Sequence, residues 1–380
     1  MTVNASLSRL GSTAKDYGRI GISRGHVAPW EDGARTDGSA GTYEWWYFDA
    51  HLDDGAKLVV VFLTKNFTDS SKPLAPMIRI DLDLPDGTSY NKIARFEPEE
   101  FSASPERCDV RIGGNSFRGD LRTYKIIARV DDIAVEVRLT GEVPAWRPRT
   151  GHWYFGANDE YEFNWLPAVP QGKVHATYSV ACKSSTATGV GYHDHNWGNA
   201  PPTSLINHWY WARGQAGPYT VVASHITAEQ KYGNAELPIL LLARHGQIIA
   251  DDASKVTFER VGTYTDMATG KPVANVTRYT YIDGEDIYIV TFTRHRDLAV
   301  NKLINEIDGL KKIAAKLARF DGAYLRFTGE LRIEHQHAGN IVDSYTDAAI
   351  WELMYLAKLG PTDNGAECQY EIHDGAPQPF

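Results

Sequence analysis

The sequence predicts an all-β protein with one or two helices, built as two β-sandwich or β-barrel domains. The chain has 380 residues, which is too long for one ordinary hydrophobic core. Short apolar runs that alternate with polar residues recur along most of it. Turn signals separate these runs at intervals of roughly eight to twelve residues, a spacing typical of sandwiches and barrels and untypical of βαβ units.

The first part of the chain is predicted as an arm followed by hairpins. Residues 1–40 are polar and glycine-rich, and we expect an arm or a covering strand there. The first domain is predicted over residues 41–204, where an Asp-Asp-Gly turn separates the runs TYEWWYFDAHL and KLVVVFLTKNF. Residues 144–170 are rich in proline and aromatic residues, and we predict a long functional loop. Further strands are predicted in segments 78–84, 108–119, 123–143 and 173–185.

The second domain is predicted over residues 205–375. The linker is expected within residues 198–207, where Pro201 and Pro202 interrupt the β pattern. Apolar residues at helical spacing predict an amphipathic helix over residues 297–320, with Asp297 as its N-cap. Residues 345–360 are predicted as a second helix that ends at a Gly-Pro pair. The remaining segments, 208–227, 237–249, 255–266, 274–295 and 323–336, are predicted strands.

Composition excludes several function classes. The formal net charge is −9 and there is no lysine/arginine cluster, which disfavours nucleic acid and anionic membranes as partners. The cysteines Cys108, Cys182 and Cys368 form no CxxC pair, which indicates a reducing compartment. A signal peptide and apolar runs of about 18 residues are missing, so we expect a cytoplasmic protein. No GxGxxG, GxxxxGK[ST] or GxSxG motif is present, so no cofactor is expected, and the oligomeric state stays open.

The segment GVGYHDHNWGN, residues 189–199, has a high concentration of side chains that can take part in catalysis or bind a metal. On an extended strand His193 and His195 share one face, while Tyr192 and Asp194 share the other. The histidines, like the pair His335-x-His337, allow a metal site, but no third ligand is apparent and we predict none.

The other strand face allows acid/base chemistry. A carboxyl beside a phenol in an aromatic cavity would be desolvated, and its raised pKa would let it donate a proton. A purely structural role for Asp194 and Asn196 at a strand end is an equal alternative.

Tryptophan is concentrated in the first half and at the start of the second. There are 10 tryptophans, and eight of them lie between Trp45 and Trp211. Such rings fill cores, but they also line pockets for apolar or conjugated ligands. Strand alternation lets only about half of them face a pocket. By spacing Trp209 and Trp211 share a face, whereas Trp45 and Trp46 do not. The candidate pocket walls are Trp45, Trp46, Trp165, Trp197, Trp209 and Trp211.

Four segments resemble one known family. YEWWYFDAHLDDGAKLVVVF, FNWLPAVP, GVGYHDHNWGN and HWYWAR are similar to the hydroxyneurosporene synthase family, the lipocalin-like carotenoid 1,2-hydratase group. Fungal relatives of that group include kievitone hydratase and decalin-forming Diels–Alderases. The resemblance spans about residues 40–215. It implies two lipocalin-like β domains with a hydrophobic pocket near their junction and no organic cofactor.

The resemblance also implies site residues. The acid of the hydratase branch corresponds to Asp194, with Tyr192 beside it. That branch also uses a tryptophan and a histidine from the loop matching FNWLPAVP. Trp165 matches the tryptophan, but Phe163 and Asn164 stand where a histidine is expected. Hydration would therefore need His193 or His195 as its base.

The leading interpretation is an isomerase or lyase of secondary metabolism. A cyclisation, including a Diels–Alder reaction, or an isomerisation needs only shape and a proton or hydrogen bond. Its substrate would be a hydrophobic polyene, polyketide or terpenoid. The alternatives are a hydratase or dehydratase at an isoprenoid C=C bond, and a lipocalin-like carrier without catalysis. The expected catalytic residues are Asp194, Tyr192, His193 and His195. Substrate binding is expected from Trp45, Trp46, Trp165, Asn196, Trp197, Trp209 and Trp211.

Overall fold

The computed structural model describes residues 7–66, 69–303 and 321–356, which fold into two large antiparallel sheets. This confirms the all-β prediction. Within the described ranges neither α-helix has the length and apolarity that crossing a bilayer requires. The chain passes from the first sheet to the second through a short helix at Pro202–Leu205, inside the predicted linker.

The first sheet has thirteen strands in the order β5-β4-β3-β2-β13-β12-β10-β9-β8-β7-β6, with β11 beside β12 and β1 beside β11. Their bounds are β1 Ser8–Leu10, β2 Tyr43–Leu52, β3 Lys57–Leu63, β4 Met77–Asp83, β5 Ser89–Arg95, β6 Phe101–Ala103, β7 Asp109–Ile112, β8 Asn115–Gly119, β9 Thr123–Val130, β10 Ile133–Gly141, β11 His152–Phe155, β12 Tyr161–Val180 and β13 Lys183–Gly198.

The second sheet has nine strands in the order β17-β16-β15-β14-β22-β21-β20-β19-β18. Their bounds are β14 Ile206–Ala216, β15 Tyr219–Ala228, β16 Glu236–Arg244, β17 Gln247–Ala250, β18 Val256–Thr265, β19 Pro272–Asp283, β20 Asp286–Lys302, β21 Ala323–His337 and β22 Asn340–Tyr355.

The described residues also include two short α-helices and several 3₁₀ turns. Helix α1, Ala14–Ile20, lies in the predicted arm and begins with a capping box between Thr13 and Asp16. Helix α2 is the linker segment Pro202–Leu205. Single 3₁₀ turns occur at Pro29–Asp32, Pro98–Glu100, Gln230–Tyr232 and Ala253–Lys255.

Each sheet curls around its own apolar core. The core of the first sheet joins residues from distant strands, such as Phe62 on β3 and Phe117 on β8. The core of the second sheet is centred on Phe292, Phe327 and Trp351. A third apolar cluster contains residues of both sheets and lies between them. The two sheets therefore also pack against each other, and the cavity described below lies between them.

The structure contradicts the described part of each of the two predicted long helices. Residues 297–302 belong to β20, where Asp297 is paired with Phe327 on β21; residues 304–320 lie outside the described residues. The segment up to Tyr355 that was predicted to begin the second helix is strand β22. Its buried residues Ala349, Trp351, Leu353 and Tyr355 are two apart, which is the period of a strand. The predicted Gly-Pro stop lies outside the described residues.

The predicted loop over residues 144–170 is also partly wrong. Its second half is strand, because β11 and the first half of β12 fall within it. The two prolines of β12, Pro167 and Pro170, lie where the pairing with β13 shifts register between Leu166 and Val169 and again before Gly172. Proline cannot donate to a ladder, so such irregular positions tolerate it. The prolines suggested a loop where the chain forms a bulged strand.

Candidate functional site

A cavity of about 130 Å³ lies between the two sheets. Strands β2, β12 and β13 form its wall on the first sheet, and β14, β15 and β22 form its wall on the second. Aromatic rings dominate the lining, and two carboxyl groups interrupt it. The lining residues are Trp45, Tyr47, Phe163, Trp165, Asp194, Asn196, Trp209, Trp211, Ser224, Ile226 and Glu352.

Strand register explains why these side chains meet. On β13, Asp194 pairs with Tyr47 of β2, and Asn196 pairs with both Trp45 of β2 and Trp165 of β12. Directly paired residues in an antiparallel sheet point to the same face. All five side chains therefore face the second sheet.

The wall on the second sheet follows the same rule. Trp209 and Trp211 are two residues apart on β14 and both line the cavity. Trp211 pairs with Glu352 of β22.

The carboxyl of Asp194 accepts three hydrogen bonds from neighbouring side chains. Its Oδ2 accepts from Trp165 Nε1 at 2.8 Å and from the Tyr192 hydroxyl at 2.8 Å. Its Oδ1 accepts from Asn196 Nδ2, also at 2.8 Å. A carboxylate oxygen has two acceptor positions, so Oδ2 is saturated and Oδ1 retains one. That free position is where Asp194 can exchange a proton with a ligand.

Burial sets the protonation of Asp194. The side chain is nearly inaccessible, and this desolvation raises the pKa of Asp194 to about 6, although the hydrogen bonds from Trp165 and Tyr192 lower it. Burial also raises the pKa of Tyr192 well above its usual value, so this phenol remains a neutral donor. Asp194 is consequently close to half protonated near pH 6, the range in which one group can serve as acid or base.

Glu352 is a second cavity carboxyl, and the sequence interpretation missed it. Its Oε2 accepts from the hydroxyl of Tyr324 at 2.9 Å. Burial raises the pKa of Glu352 above its usual value, although Tyr324 and Arg326 lower it. Part of the signal was present in the sequence, because Glu352 lies between the apolar residues Trp351 and Leu353 of a segment in which every second residue is apolar. Reading this segment as a helix concealed the alternation.

The two histidines of the motif lie on the opposite face of the first sheet. His193 Nδ1 donates to the carbonyl oxygen of Tyr47 at 2.8 Å, and its Nε2 is 3.2 Å from Asp32 Oδ2. His195 Nε2 is 2.8 Å from Glu44 Oε1, and its ring stacks on Trp46 with centroids 4.7 Å apart. All of these side chains are buried inside the curled first sheet. The expected catalytic histidines therefore do not reach the cavity.

Trp46 and Trp197 also differ from their predicted position. Both belong to the core cluster of the first sheet and are absent from the cavity lining. The Trp46 indole donates to the carbonyl oxygen of Asp32 at 3.1 Å. Alternation along β2 and β13 places each of them one residue away from a side chain that faces the cavity. The cavity residues that sequence reasoning missed are Tyr47, Phe163, Ser224, Ile226 and Glu352.

One group of side chains among the described residues has the composition of a metal site. The ligand atoms of Asp32, Cys108 and His193 lie within 4.8 Å of one another, and all three are buried. Asp32 Oδ2 already accepts from the Tyr124 hydroxyl at 2.5 Å.

The second histidine pair is elsewhere. His335 and His337 are 2.7 and 3.0 Å from the same oxygen of Asp286. Neither set adjoins the cavity.

An ion pair joins the two sheets behind Asp194. Arg213 of β14 donates to Asp49 of β2 through both Nε and Nη2, and both side chains are buried. The guanidinium also lies 5.9 Å from the ring centroid of Tyr192. Trp146 and Arg149 of the first half make further contacts with Asp251 and Asp252 of the second. These contacts fix the cavity walls relative to each other.

Comparison with known proteins gives a consistent result. Residues 120–294 match the family model described as Diels-Alderase-like. The quinolone epoxide rearrangement protein asqO of Emericella nidulans is 25% identical over 291 residues, which are 72% of this chain and 78% of that protein. Hydroxyneurosporene dehydrogenase of Chlorobaculum tepidum is 27% identical over 205 residues, covering 46% of this chain and 53% of that protein.

The fold is shared with a solved structure. The crystal structure of CghA with Sch210972 superposes with a TM-score of 0.56 at 14% identity, covering 83% of this chain and 88% of that one. At this identity the likeness concerns the fold. The matches confirm the resemblance that the tryptophan and Tyr-x-Asp motifs indicated, and residues 120–294, which are less than half of the chain, are similar to the Diels-Alderase-like family.

Proposed function

We propose that the protein is an isomerase or cyclase of secondary metabolism that uses Asp194 as its acid. One observation carries the proposal: a buried carboxyl with a pKa near 6 faces an aromatic cavity and keeps one free acceptor position. Burial keeps a fraction of Asp194 protonated near neutral pH. The donors on Oδ2 stabilise the carboxylate that remains after the proton leaves. In this proposal each sheet is one domain and the substrate lies at their junction.

The lining favours a flat, conjugated and hydrophobic ligand. Trp45, Trp165, Trp209 and Trp211 offer π faces, which attract rings and stabilise developing positive charge. A volume of about 130 Å³ is close to the roughly 150 Å³ cavity that holds one benzene ring. We infer that the reacting ring occupies the cavity, while the rest of a larger substrate extends outward between the sheets.

The relatives suggest the reaction to test first. The name of asqO states that it rearranges a quinolone epoxide. Protonation by Asp194 suits such a step: the C–O bond of the epoxide breaks, its electron pair stays on oxygen, and the proton from Oδ1 makes a hydroxyl. The positive charge left on carbon would be stabilised by the tryptophan faces until the rearranged cation loses a proton, which the carboxylate of Asp194 can take back. The product is an isomer of the substrate.

A second candidate is a hydratase or dehydratase. Its expected histidine is missing, but Glu352 faces the cavity and could activate water in its place. One experiment separates the two candidates: a quinolone epoxide is incubated with the protein in ¹⁸O-labelled water, and the product is analysed by mass spectrometry. Isomerisation predicts unchanged mass without label. A product with one added, labelled water would instead establish hydration. If the epoxide binds and is recovered unchanged, both reactions are excluded and the carrier function is the candidate that is left.

A further inference from the structure

We propose that Glu352 is the second catalytic residue of this site, a base that faces the acid Asp194 across the cavity. The inference rests on the proposed function and extends it from one proton-transfer group to two. Within the described ranges Asp194 and Glu352 are the carboxyl groups of the lining. They belong to different sheets, so a ligand in the cavity lies between them.

The local geometry gives Glu352 a free acceptor surface. On β22 it pairs with Trp211 of β14 and with Arg326 of β21, so these three side chains share the face that borders the cavity. Tyr324 donates to Oε2 and Trp209 also hydrogen-bonds to the carboxyl, so Glu352 has two such partners where Asp194 has three. Glu352 therefore has more room than Asp194 to accept a proton from a ligand.

Neighbouring groups partly offset the effect of burial on Glu352, whose pKa is raised overall. Burial and Asp49 on β2 raise its pKa, whereas Tyr324, Arg326 and Trp209 lower it. Arg326 is the nearby cation on the adjacent strand, and Asp49 is itself held by Arg213. The proposed acid/base pair is the fraction of the protein in which Glu352 is ionised while Asp194 is protonated.

The pair completes a balanced proton transfer. Asp194 gives its proton to the oxygen of the opening epoxide, and Glu352 removes a proton from a C–H, N–H or O–H group of the same substrate. The electron pair of that bond forms the new π bond or fills the cationic carbon. The substrate gains one proton and loses one, so its product is an isomer. Exchange with water then returns the two carboxyl groups to their starting states.

The test has an activity arm and a binding arm. Turnover of a quinolone epoxide is measured against pH for the wild type, Asp194→Asn, Glu352→Gln and Glu259→Gln. Glu259, an exposed glutamate on the outer strand β18, provides the matched control. We expect Glu352→Gln to lower kcat by about 10²–10⁴-fold and to abolish the loss of activity at low pH. Glu259→Gln should change neither.

The binding arm does not depend on turnover. Binding of 2-quinolone is measured by the quenching of tryptophan fluorescence. This ligand is neutral, and its N–H group can donate to a carboxylate. In Asp194→Asn, affinity should fall about fivefold between about pH 8 and about pH 5, as Glu352 becomes protonated. Adding Glu352→Gln should abolish that dependence, whereas adding Glu259→Gln should not.

The outcomes separate the two proposals. If Glu352→Gln keeps kcat within about twofold and retains its low-pH limb, Glu352 is not the base, whatever Asp194→Asn does. A pH dependence that persists in Asp194→Asn/Glu352→Gln, or failure of 2-quinolone to bind the wild type, also overturns the role of Glu352. Full activity of Asp194→Asn would instead refute the acid of the proposed function.

Discussion

The Tyr192 hydroxyl donates to Oδ2 of Asp194 over 2.8 Å, from two positions earlier on the same strand. Trp165 reaches the same oxygen from the neighbouring strand. The two donors occupy both acceptor positions of Oδ2 and leave the open position of the carboxyl on Oδ1. The orientation of the Asp194 carboxyl is thus determined by β-strand periodicity and by the pairing of β12 with β13.

Tyr192→Phe should raise the pKa of Asp194 above its value of about 6. The hydroxyl favours the ionised form, so its loss favours the protonated form by about one pH unit. The acid then stays protonated to higher pH, and the high-pH limb of the activity profile moves upward. Tyr178→Phe is the control, because Tyr178 donates to Asp54. A downward shift would mean that Tyr192 does not stabilise the carboxylate.

Asp194 should make the protein less stable as pH rises. Its folded pKa, about 6, exceeds the unfolded value, so the folded state binds an extra proton between about pH 4 and pH 6. Its contribution to the free energy of unfolding is fully present below about pH 4 and is lost as pH rises through about 6. The loss amounts to about 3 kcal/mol.

Urea unfolding of the wild type and Asp194→Asn at about pH 4 and pH 7 measures this contribution. Subtracting one protein from the other cancels the contributions of the other titrating groups to the free energy of unfolding. The wild type should lose about 2 kcal/mol more than the variant over this interval, because part of the full effect is already lost at about pH 4. Equal pH dependence in the two proteins would mean that the pKa of Asp194 is not raised.

His195→Gln should affect stability and leave catalysis intact. The imidazole contacts Glu44 and stacks on Trp46 in the core of the first sheet, so its loss should cost about 1–3 kcal/mol. Activity per folded molecule should match the wild type, because the ring does not face the cavity. His175→Gln, at an exposed position of β12, controls for the substitution. A hundredfold lower kcat with normal stability would restore a catalytic role to His195.

The ion pair between Asp49 and Arg213 should be strongly coupled. Removing either partner leaves a buried charge without compensation, which costs about 3–5 kcal/mol. In Asp49→Asn/Arg213→Met both charges are gone, so the double variant should be more stable than the sum of the single losses implies. Chemical denaturation of all four proteins gives the coupling energy. Additive losses would show that the pair does not hold the sheets together.

Local sequence pattern was sufficient to predict which side chains of β2 and β13 share a face. Period-two alternation separates Tyr192 and Asp194 from His193 and His195, and the same rule separates Trp45 from Trp46. It could not show that the second face of β13 borders a cavity, because that depends on the distant strands β14 and β22. Glu352 could only be assigned once β22 was known to lie beside β14.

The errors in the predicted elements have a common origin. Segment 345–355 contains good helix formers, yet it pairs with β14 and β21 and buries alternate residues. Tertiary pairing outweighed local propensity there. In β12 the error was in the other direction, because its prolines suggested a loop where the chain forms a strand. Pro167 and Pro170 lie at bulges, where a strand tolerates proline.

The most direct test of the account is the turnover of a quinolone epoxide at about pH 6 by the wild type and by Asp194→Asn. We predict that the wild type converts it to an isomer and that the variant, which keeps the shape but has no acidic proton, is slower by about 10²–10⁴-fold. Binding of 2-quinolone should persist in the variant. Equal turnover by the two proteins would contradict the assignment of Asp194 as the acid.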